Sequence, residues 1–389
     1  MQEIQMKKRL YILAPNDRFN YGDLLFPYII KFYFSGSFDE IVYVSTTKSD
    51  LSSKGGFKTE KQTILYDVNP TWENHLIVAG GESLCAQWFN ILSFVNPWIN
   101  FINKLSRKIS KNTNRRCEAI IKLLFGYKTH YPFTIGKNEI SHFKTISYNA
   151  VGGTFLKDSN ELDLSIVRDI LNSVDFFTVR DNITSTTLAK REIEHCICPD
   201  SAILMDGVFS EKMLISNISI STSLIYENYI FFQGKPGHWD GNYELAASQL
   251  TELSRITNCK ICLCPIGIAL GHSDKIALYK IASLMEGDYF GVWNPNIFDI
   301  MWLIKHSKMY IGVSLHGAIT AMSFNVPYIG YGSLKLKYYL EQWSDSKRFV
   351  EIDKIKDAAI EYFHQKVDST RQKEIVKICF ERLKLLYEK

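Results

Sequence analysis

Several short clusters in the chain carry side chains suited to holding an anion and moving a proton. Ser314-Leu315-His316-Gly317 stands between an apolar run at 309–313 and a compact helix expected at 318–324, which Asn325 and Pro327 stop before a second apolar run at 328–331. Strand, turn, helix and strand in that order put His316 beside a helix N-terminus, where unpaired N–H groups and the positive end of the dipole favour negative charge. A histidine at such a turn serves equally well as a plain cap. Arg180-Asp181 follows a strand expected at 176–179, and Asp200 follows Pro199 at the next strand end. Gly80-Gly81-Glu82 and Gly152-Gly153-Thr154 each close a further strand, and their missing side chains let a ligand or a neighbouring backbone come close. Any one glycine pair is also a simple tight turn. Because these bases, acids and glycines share one edge of a sheet, together they describe the rim of a cleft.

The elements that hold those clusters alternate. Strands are expected at 9–14, 41–45, 76–79, 145–151 and 176–179, with a helix opening at Gly22-Asp23 and running through Leu24, Leu25, Tyr28, Ile29 and Phe32. The polar stretch 206–228 shows no helical period and is taken as the domain junction. A second series follows, with strands at 229–233, 260–264, 309–313 and 328–331 and helices near 243–256, 274–285, 297–305 and 318–324. The expectation is an α/β protein with two Rossmann-like domains facing across a cleft, the GT-B type of architecture: residues 1–215, then 216–368. A closing helix, 369–389, has apolar positions at Ile375, Ile378, Cys379, Leu383 and Leu386 and is expected to pack back on the body.

Composition sets the class. With 389 residues, 46% hydrophobic and 22% charged, the chain is globular and large enough for two cores. A formal net charge of +4 is small for this length and argues against a nucleic-acid binder, while leaving room for anionic small molecules or a membrane surface. Eight scattered cysteines and no secretory signal point to the cytoplasm. Cys259-x-x-Cys262-x-Cys264 lies in an apolar strand pattern without a second ligand pair, so buried thiols are expected and no metal. One insertion, near 84–130, breaks the alternation. Its first part is rich in rings and aliphatics, including Trp88, Phe94 and Trp98, and Arg107, Lys108, Lys111, Arg115 and Arg116 follow. Asn90, Asn96, Pro97, Asn100 and Asn103 argue against a spanning helix. Contact with the inner face of a membrane is one reading. A helical excursion that covers the N-terminal domain is the other.

Taken together, these residues resemble the polysaccharide pyruvyl transferase family. The resemblance runs from residue 9 to about 340 and rests on Asn20-Tyr21-Gly22-Asp23, Gly80-Gly81-Glu82, Val179-Arg180-Asp181 with the Ser/Thr-rich helix start after it, Pro199-Asp200, Pro265-Ile266-Gly267, His272-Ser273-Asp274, Ser314-Leu315-His316-Gly317 and Pro327-Tyr328-Ile329, with Lys335 or Lys337 matching a later lysine. It implies transfer of a pyruvyl group from phosphoenolpyruvate to a pair of sugar hydroxyls, as a ketal, on a surface polysaccharide or its lipid-linked precursor. No metal or nucleotide is required; phosphoenolpyruvate is a substrate. That chemistry asks for an acid, a base and cationic partners for phosphate and carboxylate. The resemblance implies His316 as acid/base, Arg180 as anion clamp helped by the helix start at Gly317, Asp181 and Asp200 orienting the sugar, and His272 with Asp274 on the opposite wall. Asn20, Gly22, Asp23, Gly80, Gly81, Glu82, Ser314 and a lysine at 335 or 337 complete the expected substrate site.

Ser314 departs from the family pattern, where many members carry an arginine two residues before the histidine. Losing a charge-assisted bond costs roughly 1.5–3 kcal/mol unless Arg180, Lys335 or Lys337 replaces it. Two other readings therefore stand beside the first: a glycosyltransferase using a nucleotide-activated sugar, and a noncatalytic glycan-binding relative.

Overall fold

The computed structural model describes residues 6–106, 111–154, 156–226, 228–270 and 272–389, and the side chains of these except 106, 111–117, 225, 226 and 272. The N-terminal half builds an eight-stranded sheet from β1 (Lys8–Leu13), β2 (Glu40–Ser45), β3 (Ser49–Asp50), β4 (Lys58–Lys61), β5 (Glu73–Val78), β6 (Thr145–Val151), β7 (Phe176–Val179) and β8 (Cys196–Ile197), in the order β3-β4-β2-β1-β5-β6-β7-β8. Only the short β3/β4 pair is antiparallel. The central strands are buried because helices cover both faces: Leu10 to Leu13, Leu76 to Val78 and all of β6, including its polar Thr145, Ser147 and Asn149, are buried. The helices of this half are α1 (Tyr21–Phe34), α2 (Trp88–Leu92), α3 (Pro97–Ser106), α4 (Lys111–Phe125), α5 (Glu161–Leu171) and α6 (Asn182–Ala189).

Two short helices, α7 (Met205–Val208) and α8 (Glu211–Asn217), occupy the stretch expected to be without helix. Seven residues are too few to display a period, but the start of α8 was signalled by Ser210, whose hydroxyl accepts the Met213 N–H. The second half then forms β9 (Tyr229–Gln233), β10 (Lys260–Leu263), β11 (Ile268–Ala269), β12 (His272–Ser273), β13 (Tyr289–Gly291), β14 (Met309–Gly312), β15 (Tyr328–Tyr331) and β16 (Phe349–Val350). Six of these make a parallel sheet in the order β13-β10-β9-β14-β15-β16, and β11 and β12 form a separate antiparallel ribbon. The helices are α9 (Tyr243–Thr257), α10 (Lys275–Leu284), α11 (Ile297–His306), α12 (Leu315–Ser323), α13 (Leu334–Trp343), α14 (Ile355–Tyr362) and α15 (Thr370–Glu388). Cys259, Cys262 and Cys264 are buried in or beside β10.

Each sheet has one point where the winding reverses: β1 lies between β2 and β5, and β9 between β10 and β14. The carboxyl ends of these strands are where an open α/β sheet takes its ligand. The halves are joined by a shared apolar core containing residues of α1, α11, α12 and α15. They are joined again where Tyr21 N–H donates to the Ile266 carbonyl and Asn20 bridges to Gly267.

α15 returns to the first sheet. Tyr387 bonds Ser147 of β6 at 2.7 Å and meets the rings of Phe34, Phe38 and His75 edge-on. Its buried face is Val376, Cys379, Phe380, Leu383 and Tyr387, whereas Ile378, expected inside, is exposed. Two residues past 376 is roughly 200° round a helix, which faces solvent.

The insertion is helical. Trp88 is not a surface ring: it is fully buried, stacks on Tyr127 at 3.7 Å and donates its indole N–H to the Thr129 carbonyl. Among the described residues no helix is long and apolar enough to cross a membrane. Arg107 and Lys108, and the side chains of Lys111, Arg115 and Arg116, lie outside what the structure describes.

Candidate active site

A cleft of about 420 Å³ opens at the carboxyl ends of β1 and β5 on one side and of β9 and β14 on the other. Behind the Arg180 and His316 side chains of its wall lies Asp200, which is fully buried. One carboxylate oxygen, Oδ2, accepts Arg180 Nη1 at 2.9 Å and lies 3.3 Å from His316 Nε2, while Oδ1 accepts the Ala202 N–H. The His316 contact is in ion-pair range but not in hydrogen-bond geometry. Arg180, also buried, reaches Glu82 Oε2 with Nη2 at 3.0 Å, and Lys335 Nζ stands 3.9 Å from the same oxygen. Lysine, glutamate, arginine, aspartate and histidine thus form one line along the cleft. Burial alone would push the Asp200 carboxyl up; the charges of His316 and Arg180 overcome this and hold it below its ordinary range. Burial would lower the Arg180 guanidinium, but Asp200 and Glu82 raise it.

The sequence near each member explains its position. His316 is in the first turn of α12, and its carbonyl accepts the Thr320 hydroxyl, which in turn pairs with Tyr21 Oη at 2.8 Å. Its ring meets Phe26 edge-on at 5.4 Å and lies where a side chain at Gly22 would have to go. Gly152 is needed for the same reason, since a Cβ there would strike Arg180 and Glu82. Gly80 and Gly81 take positive φ at the end of β5, a conformation open to glycine, and a Cβ on Gly80 would meet Phe26.

Asp23 lines the cleft and accepts the Asn20 amide at 2.8 Å. Burial pushes its carboxyl up, and the charges of His316, Arg18, Lys335 and Arg180 offset only part of that. Across the cleft, Asp274 Oδ2 accepts the N–H groups of Ile266 and Gly267 and the Gln233 amide, and Gln233 Oε1 accepts the N–H groups of Val313 and Ser314. Burial raises the Asp274 carboxyl despite those donors.

Several expected residues stand elsewhere or do something else. Asp181 caps α6, accepting the Thr184 N–H at 2.7 Å, and is not on the cleft wall. The Gly317 N–H goes to the Ser314 hydroxyl that caps α12, and a side chain at 317 would strike Tyr310, so this helix start is closed by its own cap. Of the two candidate lysines, Lys335 lines the cleft and Lys337 is exposed away from it. His272 contributes backbone to β12, while its side chain lies outside the described residues.

Among the cleft residues not singled out from the sequence are Arg18, Gln233, Lys235 and His238. Lys235 is half-buried, with no carboxylate at ion-pair distance among the described residues; burial lowers its ammonium, against the more distant pull of Asp274. His238 beside it is lowered by burial and by Lys235. The signal was present: Gln233-Gly234-Lys235 ends a strand as Gly80-Gly81-Glu82 does. The cleft therefore presents Lys235, His238, Lys335 and the His316 imidazole from the C-terminal half and Asp23, Glu82 and Arg180 from the N-terminal half, with Asp200 behind Arg180 and His316.

Two α/β domains with their strand ends facing one cleft make this a GT-B-type protein. Its fold matches solved structures of sugar-nucleotide enzymes at very low identity: a Listeria monocytogenes protein assigned as UDP-N-acetylglucosamine 2-epimerase (TM-score 0.57, 7% identity, 99% of this chain and 97% of that one), the Rickettsia bellii enzyme of that name (0.55, 9%, 98% and 96%) and the Methanocaldococcus jannaschii enzyme (0.54, 10%, 96% and 99%). No functionally curated protein matches the chain. The family model for polysaccharide pyruvyl transferase matches residues 20–333, and the chain belongs to that family.

Proposed function

We propose that this protein transfers the pyruvyl group of phosphoenolpyruvate to two hydroxyls of a sugar, forming a cyclic ketal during synthesis of a surface polysaccharide. The observation that carries the reading is Lys235, a half-buried cation with no carboxylate at ion-pair distance among the described residues, flanked in the cleft by His238 and Lys335. A donor bearing both phosphate and carboxylate supplies what that wall lacks.

The steps balance. The methylene carbon of the donor takes a proton from Asp23 or His316, and the cation that develops on the adjacent carbon is met by the first hydroxyl oxygen, which gives up its proton. Phosphate leaves with the bonding pair of its C–O bond. The second hydroxyl then closes the ring and loses its proton. Of the two protons shed by the diol, one restores the acid and one goes to phosphate. Asp200 Oδ2 stands 3.3 Å from His316 Nε2, and its bond to Arg180, which also holds Glu82, fixes that carboxylate in place.

A second reading, transfer from a nucleotide-activated sugar, is favoured by Ser314, which caps α12 where many family members carry an arginine. Thermal stabilisation separates the two. A ligand at about 100 times its dissociation constant adds roughly 2.7 kcal/mol. Stabilisation by phosphoenolpyruvate, together with phosphate release when a diol sugar is added, supports pyruvyl transfer; stabilisation by a uridine diphosphate sugar alone overturns it. A ligand that binds without turnover, equally well after His316→Ala, would instead mark a noncatalytic relative.

A further inference from the structure

α3 is inside out. Its asparagines face the protein: the Asn100 amide donates to the Ser93 carbonyl at 2.9 Å, and the Asn103 amide, buried, donates to the Ser93 hydroxyl at 3.0 Å. The opposite face carries Trp98, Phe101, Ile102 and Leu105 at helical spacing, all exposed, with Trp98 at 78%. Neighbouring α4 repeats the pattern with Ile120, Leu123 and Leu124, the last two 83% and 73% exposed. A soluble helix that meets only water has its polar residues outside, so these faces are built for an apolar partner.

The charge around them says which partner. From 97 to 128 the sequence has eight lysines and arginines and a single acid, Glu118. That acid is turned inward: its two oxygens accept the N–H groups of Trp88 and Phe89 at 2.6 and 2.8 Å. Lys104 and Lys128 are exposed. Rings and leucines in a stretch whose sequence is this rich in lysine and arginine suit a surface with an apolar interior and anionic headgroups.

We propose that α3 and α4 form the surface by which this protein docks on an anionic lipid bilayer, with Trp98, Phe101, Leu123 and Leu124 entering at headgroup level. The proposal does not depend on the donor used in the cleft. It does place the cleft next to lipid, because α2, on which both helices pack, is followed by Phe94, and Ile91 and Phe94 belong to the cleft wall.

The test is cosedimentation of the full chain with vesicles of phosphatidylcholine containing roughly one-third phosphatidylglycerol, at about 0.1 M and about 0.5 M salt. Binding is expected to the mixed vesicles, to fall at least about tenfold in pure phosphatidylcholine or in high salt, and to fall as far when Trp98, Phe101, Leu123 and Leu124 are all changed to Ser. All four positions are exposed, and an unchanged melting curve verifies the fold; Lys104→Glu with Lys128→Glu supplies an independent variant that should also bind less. Failure of the wild type to pellet with the mixed vesicles, or equal pelleting by wild type and the Ser variant, overturns the proposal. So does a concentration-dependent dimer in light scattering that the same Ser changes abolish without any vesicle binding, which would give the face to a second copy of the chain.

Discussion

The ring of His316 fills the place where residue 22 would carry a side chain, so the first turn of α1 and the first turn of α12 interlock only because position 22 is glycine. Gly22→Ala must displace the imidazole from Asp200. The added methyl favours the helix by up to about 1 kcal/mol, while overpacking costs about 1–3 kcal/mol. Turnover should fall more than tenfold with little change in Tm, measured by phosphate release and calorimetry. His316→Ala, which removes the group itself, should cost about two to four decades in kcat.

Asp200→Asn breaks a buried ion pair while leaving Arg180 with Glu82 alone. A loss of about 3–5 kcal/mol is expected from urea unfolding. The folded carboxyl sits below its ordinary value of 3.8, so its stabilisation is complete above that pH and disappears as the pH falls through the lower folded value. The variant should therefore show a shallower acid limb; an unchanged limb would remove Asp200 from the charge line.

Lys235→Met is expected to separate binding from stability. Among the described residues the lysine has no carboxylate at ion-pair distance to lose, so Tm should hold or rise. KM for phosphoenolpyruvate should rise about 10- to 100-fold, the range for one charge-assisted bond. Equal KM values would move the anion site elsewhere.

Far from the cleft, burial pushes His75 down to about 4, and its ion pair with Glu73 offsets only part of this. Between its ordinary value of 6.5 and about 4 the unfolded chain takes up a proton that the folded protein refuses, so stability falls as the pH drops through that window, by at most about 3 kcal/mol. His75→Gln should flatten this stretch of the stability profile.

The alternation of elements was legible because parallel strands covered on both faces are rich in apolar residues, and 10–14 and 309–313 are nearly continuous apolar runs. The cleft edge followed from where the strands end. What the sequence could not show was pairing in space. Asp181 and Asp200 look alike beside their strands, yet one spends its carboxylate on a helix start three residues on, whereas the other faces an arginine 20 residues away and a histidine at a helix start in the other half. Lys235 could have been found from its place in Gln233-Gly234-Lys235 at a strand end, but the sequence gives no sign of which acids stand near it in space. The period of α3 announced an amphipathic helix, but a period does not say which face points out. Only the bonds from Asn100 and Asn103 to Ser93 reveal that.

The return of α15 to β6 has a consequence for how the chain comes to life. A ribosome delivers the first sheet early, but Tyr387, which seals Ser147, Phe38 and His75, emerges 240 residues after that serine. Until then an apolar strip on the N-terminal half stays open to solvent and to chaperones. Translation must run nearly the whole described length before the first-made domain can close, which makes the last helix a checkpoint on the folding of the first.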